Sequence, residues 1–435
     1  MDQNKKIFDN AKWIVGCKIL QSIIQLVVGM LTARYLGPEN YGLIDYAASI
    51  TAFASPVMQL GLQSILVQEY INSPEKEGEI IGTHLAMNVA SAVACIIGIS
   101  SFAAVANPNS IETITVCALY STSLLFQAMD MMQYWFQAKL LSKYSSIAML
   151  CAYVLVSVYK ILLLILKKNV YWFAVSHSVE YAAIALFLLV AYRRVGSKKL
   201  KFSMQLSKEM FSKSKYYIVA MVMVALYNRM GNIFLKQFFG DAENGYYAAA
   251  VTCTGMTMFV FLAIIDTARP VVLESKKISR EIFDKNVSKV YSLIIWLSFG
   301  QSAMFTLLAE PIIRILYGNA YTPAIAVLRI LVWSTAFSYI GYVRNIWILG
   351  EEKHSVLWKI NLSGAVSSVV FNVILIARWG ACGAAVATIL TQLFTNVLTG
   401  YILKPVRKNN LLLIEGVNPR LILEIVKQFA NNKEE

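Results

Sequence analysis

The sequence predicts an all-α integral membrane protein of about twelve transmembrane helices, arranged as two pseudo-symmetric lobes of six. Three observations carry this. Of 435 residues, 57% are apolar and only 15% charged, against about half and about a quarter in soluble chains. Apolar runs of roughly 20 residues, each long enough to cross a bilayer as a helix, recur from one end to the other. A corner between two such runs occurs twice, as "ARYLGPENYGLIDYAAS" (Ala33 to Ser49) and as "LKQFFGDAENGYYAAAV" (Leu235 to Val251).

Taken in order, the first six spans centre near Val27, Ala54, Ala94, Leu124, Leu155 and Ala185, and the second six near Val224, Met258, Leu297, Ser334, Ser367 and Leu390. Strands are excluded because the runs are too long and do not alternate with period two. The first span is too long for a signal core and lacks a small-x-small cleavage site, so it is expected to be retained. The repeat defines the lobes as 1–200 and 201–404. In the corners Gly37 and Gly42 have the spacing of Gly240 and Gly245, each followed by an aromatic and alanine-rich segment. Gly37, Pro38, Glu39, Gly42, Gly240 and Gly245 are therefore the structural motif. A weaker echo joins "YWFQAKLLSKYSS" (Tyr134 to Ser146) to "IWILGEEKHSV" (Ile346 to Val356). Six spans per half make the repeats parallel, a plan in which substrate sites tend to lie at the repeat interface. The remainder, 405–435, is a cytoplasmic tail in which "NPRLILEIVKQFANN" reads as a short interfacial amphipathic helix.

Charge assigns the topology. The net charge is +14, and with an even number of spans both termini share a side. That side collects 28 Lys and Arg, eight of them in a long loop from Arg193 to Lys215, and the opposite side collects six. Both ends are thus cytoplasmic, and the basic balance is a topology signal with anionic-lipid contacts rather than a sign of nucleic acid. Cys17, Cys95, Cys117, Cys151, Cys253 and Cys382 all fall within spans, without CxxC spacing, and read as small packing residues. The three histidines form no metal-ligating cluster.

Polar groups within the spans mark the candidate site, since ionisable side chains there are costly and face a cavity or one another. The first span carries Lys18, Gln21, Ser22 and Gln25 as one stripe, the seventh carries Asn228 and Arg229, and the tenth carries Arg344. Lys18, Gln21, Gln25, Asn228, Arg229 and Arg344 are the candidate substrate-binding residues of a wet, cationic cavity suited to a phosphorylated substrate. Asp45, Asp130, His177 and Glu180 are the candidates for coupling to H⁺ or Na⁺, with His177 one helical turn before Glu180. The alternative for each is helix–helix glue, snorkelling or a structural ion pair. No cofactor is expected, and enzyme chemistry finds no P-loop, GxSxG, HExxH or paired-carboxylate loop.

Four segments carry a family resemblance. "RYLGPENYG" (Arg34 to Gly42), "YWFQAKLLSKY" (Tyr134 to Tyr144), "LYGNAYTPAIAVLRIL" (Leu316 to Leu331) and "RWGACGAAVATILTQ" (Arg378 to Gln392) resemble, in order, motifs of bacterial polysaccharide and O-antigen repeat-unit flippases. These belong to the multidrug/oligosaccharidyl-lipid/polysaccharide exporter superfamily. The resemblance implies a two-lobed MATE-like fold in the bacterial cytoplasmic (inner) membrane. It implies transfer of undecaprenyl-diphosphate-linked oligosaccharide by alternating access, with membrane lipids and other glycan-assembly proteins as partners. Two rivals remain at this stage: a drug/cation antiporter on the same fold, which an acidic and aromatic cavity would favour, and a membrane glycan polymerase or ligase, which would need a long outward loop.

Overall fold

The computed structural model describes residues 3–196, 199–422 and 424, with the side chains of 3–12, 14 and 15 left aside. Among these residues the chain is helical and has no strand. Nine stretches among the described residues are long and apolar enough to cross a bilayer. Two of them, Gly16–Met58 and His354–Ile402, contain a glycine with non-helical φ and ψ, Gly37 and Gly380, so each is a pair of spans. A further span, 111–138, is built from three short helices, Ile111–Ser121, Ser123–Asp130 and Gln133–Ala138. The spans are therefore α1 (3–36), α2 (38–58), α3 (Glu77–Ala106), α4 (111–138), α5 (Ser142–Ile165), α6 (Val170–Val195), α7 (Met204–Phe239), α8 (Asp241–Ile278), α9 (Arg280–Leu316), α10 (Ala324–Gly350), α11 (357–379) and α12 (381–402). The helix α13 (Arg407–Gly416) follows.

The chain divides into two compact units, Met1–Ala225 and Leu226–Glu435, each with its own core. In the first, Tyr70, Trp135, Phe136 and Tyr192 pack with Ile80, Ile81 and Leu188. In the second, Phe283, Tyr291 and Trp347 pack with Ile294, Val343, Ile360 and Leu412.

The two units repeat each other in detail. After α4, Leu140 takes φ 56°, and after α10, Glu352 takes the same φ of 56°. The hydrogen bonds around them match. Leu141 N–H donates to Phe136 O at 2.8 Å, and Lys353 N–H donates to Ile348 O at 3.0 Å, each closing its helix with the six-to-one bond of a Schellman turn. An ion pair then ties each turn to the start of the preceding span. Lys139 meets Glu77 at 3.1 Å, the first residue of α3, and Glu351 meets Arg280 at 3.3 Å, the first residue of α9. The two pairs occupy corresponding places with opposite polarity.

The segment 193–215, expected as a long loop, is mostly helix. Arg193 and Arg194 form the last turn of α6, where cations suit the negative end of the helix dipole. Lys208, Lys213 and Lys215 lie on α7. Residues 199–203, which are not helical, are fastened to α3: Lys201 N–H donates to Gly78 O at 3.1 Å, and Ser203 N–H donates to Thr83 Oγ1 at 3.0 Å. A Cβ at Gly82 would run into the Lys201 backbone, so the linker lies against α3 where only glycine leaves room.

The helix α13 was not expected. Its sequence "RKNNLLLIEG" turns Asn409 and Asn410 into the core rather than outward, and both are buried. Tyr291 donates to Asn409 Oδ1 at 3.0 Å, Asn410 Nδ2 donates to Val397 O at 2.8 Å, and Ser288 donates to Glu415 at 2.9 Å. Most of the interfacial helix expected beyond Asn418 lies outside the described residues.

Candidate functional site

Gly37 has φ 73° and ψ 171°, and Gly240 has φ 90° and ψ −172°. Gly318, in the "YGNAY" segment, has φ 86° and ψ −179°. This region of backbone space is essentially closed to residues with a Cβ. Each helix after a corner starts at once: Pro38 needs no donor in a first turn, and Asp241 and Glu243 sit at the positive end of α8. Lys236, in the last turn of α7, pairs with Asp241 across the bend. Glu243 accepts from Ala381 N–H at 2.8 Å, tying this corner to the Gly380 corner of the same unit. Gly42 and Gly245 are buried within the helices that follow.

In the first unit, four of the predicted coupling and cavity residues meet. His177 stacks on Tyr120, with ring centroids 4.3 Å apart and planes at 17°, and lies edge-on to Tyr181 at 5.0 Å. Its Nδ1 is 3.8 Å from the carboxylate of Glu180, which is buried. Tyr153 of α5 lies near both Gln25 on α1 and Glu180 on α6. Lys160 is close enough to act electrostatically on Glu180. Asp130 accepts from Gln133 Nε2 at 3.0 Å and acts electrostatically on Tyr153 and Tyr181. Gln25, Asp130, His177 and Glu180 thus share one region of α1, α4 and α6, with Tyr153 and Lys160 of α5 between them. Asp45 is half-buried on α2.

Lys18 is exposed on α1, beside exposed Ser22 and Gln25, while Gln21 is half-buried. Ser22 returns its hydroxyl to the main-chain Lys18 O at 2.8 Å. On α7, Asn228 is exposed and Arg229 half-buried.

Arg344 is elsewhere. It is buried in the second unit, where one guanidinium nitrogen donates to Thr395 O at 2.8 Å and Nε has no partner among the described residues. Thr395 belongs to a π-helical turn, Phe394–Leu398, within α12. Such a turn widens the helix and releases main-chain carbonyls from the regular ladder. Around it, Tyr227 donates to Gln392 Oε1 at 2.7 Å, and Asn396 Nδ2 shares the same oxygen at 2.7 Å. Gln392, Thr395 and Asn396 were missed in the sequence. Their signal was a polar stripe at one and four residues' spacing in "TQLFTN" (Thr391 to Asn396), inside a span otherwise rich in alanine.

Two units of six spans with sharp glycine corners and intramembrane charge define a membrane transporter of two lobes. The chain belongs to the polysaccharide biosynthesis protein family, which it matches over residues 31–326. The resemblance read from the corner motifs is borne out by this match. The capsular polysaccharide biosynthesis protein CapF of Staphylococcus aureus is 23% identical over 401 residues, covering 88% of this chain and 96% of that protein. The "Probable low-salt glycan biosynthesis flippase Agl15" of Haloferax volcanii is 24% identical over 227 residues, covering 51% of this chain and 47% of that one. In fold, the lipid II flippase MurJ in an inward closed conformation superposes with a TM-score of 0.74 at 14% identity, covering 96% of this chain and 92% of MurJ. An inward-facing multidrug resistance MATE family transporter gives 0.67, also at 14% identity, over 89% of this chain and 94% of that one. The MATE-like fold is thereby established.

Proposed function

We propose that the protein is a flippase that moves undecaprenyl-diphosphate-linked oligosaccharide repeat units across the bacterial cytoplasmic membrane, with both termini cytoplasmic, by alternating access of its two lobes. The observation that carries this reading is Lys18, exposed on α1 among Ile, Leu and Val. An ammonium within an apolar span is stable only where water or an anion reaches it. The family match, and CapF along nearly its whole length, support a polysaccharide precursor as the source of that anion. A cation about 4 Å from one phosphate charge gains roughly 4 kcal/mol gross at an effective dielectric near 20, before desolvation. Moderate cations on both lobes, Lys18 and Arg229, bind and release such a group without trapping it. The His177–Glu180 pair with Asp130 supplies the groups through which H⁺ or Na⁺ would drive the cycle, and other glycan-assembly proteins would hand over the substrate.

The test is surface glycan against lipid-linked repeat units retained inside, with variant levels matched by immunoblot. Lys18→Ala/Arg229→Ala is expected to lower surface glycan at least tenfold or so while the protein still inserts. Arg229→Lys restores part, because a lysine lacks the bidentate grip of a guanidinium on phosphate. Normal surface glycan in the double variant would overturn the assignment.

A further inference from the structure

We propose that the carboxamides and hydroxyls at the facing ends of α2 and α4 form a carbohydrate subsite, one that receives the sugar part of the substrate; the inference rests on the flippase reading. Both helices break there. After Met58 the chain leaves α2 with Leu60 and Gly61 at φ 52° and 64°, followed by a short 3₁₀ turn, Leu62–Ser64. In α4 the break falls at Met131 and Met132, between Asp130 and Gln133. Each break is about 20 residues, or roughly 30 Å, along its helix from the Gly37 corner or the Ser110 cap. That distance is about the thickness of the hydrocarbon layer. The breaks therefore lie at the end of the unit that carries the linker, where a lipid's headgroup would stand.

The side chains there form a ladder. Gln59 Nε2 donates to Ser55 Oγ at 3.3 Å, and Ser55 donates to Gln127 Oε1 at 3.2 Å. Tyr134 donates to Gln63 Oε1 at 3.1 Å, and Gln133 donates to Asp130 Oδ2 at 3.0 Å. Side chains that only joined two helices would use up their hydrogen-bonding capacity on each other. These do not. Among the described residues nothing donates to the carboxamide oxygens of Gln59 or Gln133, and Asp130 Oδ1 is buried without a partner. Gln63 spends its amide only on the Sδ of Met221 at 3.2 Å, a weak acceptor. Gln59, Gln63, Gln133 and Tyr134 are half-buried, so the unspent groups reach the surface of the unit.

The ligand class follows from what is unspent. It must offer several neutral donors and acceptors in a row, which is the pattern of sugar hydroxyls, and a carboxamide meets two vicinal hydroxyls with one acceptor and one donor. The ladder starts at Ser55 on α2 and continues past the end of the helix to Gln63 in the 3₁₀ turn, so its groups follow one another in a row. A bound metal cation would need oxygens gathered about one point at about 2.3–2.6 Å, and the ladder is linear. The thioether of Met221 and the ring of Tyr134, both half-buried, provide apolar surface for the C–H face of a pyranose.

The experiment uses the purified full-length protein in lipid nanodiscs and two probes. One is undecaprenyl diphosphate; the other is the polyprenyl-linked saccharide that accumulates in cells from which the gene has been deleted. Wild type should prefer the saccharide-bearing lipid. Gln59→Met/Gln63→Met, which keeps volume and removes the amides, should weaken its binding by roughly tenfold, the loss expected for two ordinary hydrogen bonds, and leave undecaprenyl diphosphate within about twofold. Tyr134→Phe should lose a smaller factor on the same probe only. Equal losses on both probes, or a lowered thermal midpoint that accounts for them, would make the ladder structural and overturn the subsite. Stabilisation of wild type alone by sodium, with saccharide affinity unchanged in the variant, would also overturn it. If wild type binds neither probe, the flippase reading itself fails, a result separate from the variant comparison.

Discussion

Arg344 shows how much one residue can be asked to do inside an apolar unit. Among the described residues its charge has no carboxylate beside it; one guanidinium nitrogen donates to the Thr395 carbonyl, which the π turn of α12 makes available. Burying a cation on so few hydrogen bonds is unfavourable, and buried charges are often replaced by apolar side chains at little loss. Arg344→Met, which keeps most of the volume, is accordingly expected to shift stability by no more than about 1.5 kcal/mol. Arg344→Ala leaves a cavity and a stranded carbonyl, with an expected loss of about 2–4 kcal/mol. Thermal unfolding in detergent micelles measures both. A large loss in the Met variant would mean that the charge itself holds the π turn open.

Among the elements, the corners separate two effects of glycine. An added Cβ would meet nothing within 4 Å at Gly37, Gly240 or Gly29. At Gly37 and Gly240 the positive φ still forbids it, so alanine there should destabilise by about 1–3 kcal/mol through backbone strain alone. At Gly29, in regular helix, alanine should stabilise by up to about 1 kcal/mol. Unfolding midpoints of the three variants check this, and a loss at Gly29 equal to that at Gly37 would refute it. The corners were legible because a Gly-Pro or Gly-Asp step between two apolar runs is a local signal. So were all twelve spans, since length and hydropathy are local too. The breaks in α4 were not, because neither Thr122 nor Met131 is a residue that interrupts helices by itself. The helix α13 was hidden because its asparagines face inward, against the amphipathic rule, to meet Tyr291 and the Val397 carbonyl. The grouping of Gln25, His177 and Glu180 depended on Tyr153, whose position among α1 and α6 no spacing in the sequence reveals. The partner of Arg344 was a main-chain carbonyl, and composition says nothing about which carbonyls a helix releases.

Across the whole molecule, the duplication is written in charge as well as in turns. The Glu77–Lys139 pair of the first unit stands where the second has Arg280–Glu351. The second unit thus demonstrates that the fold accepts the opposite polarity at this place. Glu77→Lys alone sets two ammoniums together at a place where the native side chain is only 8% exposed, and is expected to cost about 1–3 kcal/mol. Adding Lys139→Glu should recover all but about 1 kcal/mol, measured by the unfolding midpoint of the single and double variants. No recovery would show that surroundings, not the pair, fix the polarity. The linker bears on a different matter, the order of synthesis. Because residues 199–203 are fastened to α3 and Gly61 abuts the backbone at Ser214, the first unit includes the opening turns of α7. A ribosome that has delivered six spans to the membrane has therefore not yet supplied everything the first unit needs. The seventh span completes one half and begins the other, so during biogenesis the first lobe closes only once its successor has entered the bilayer.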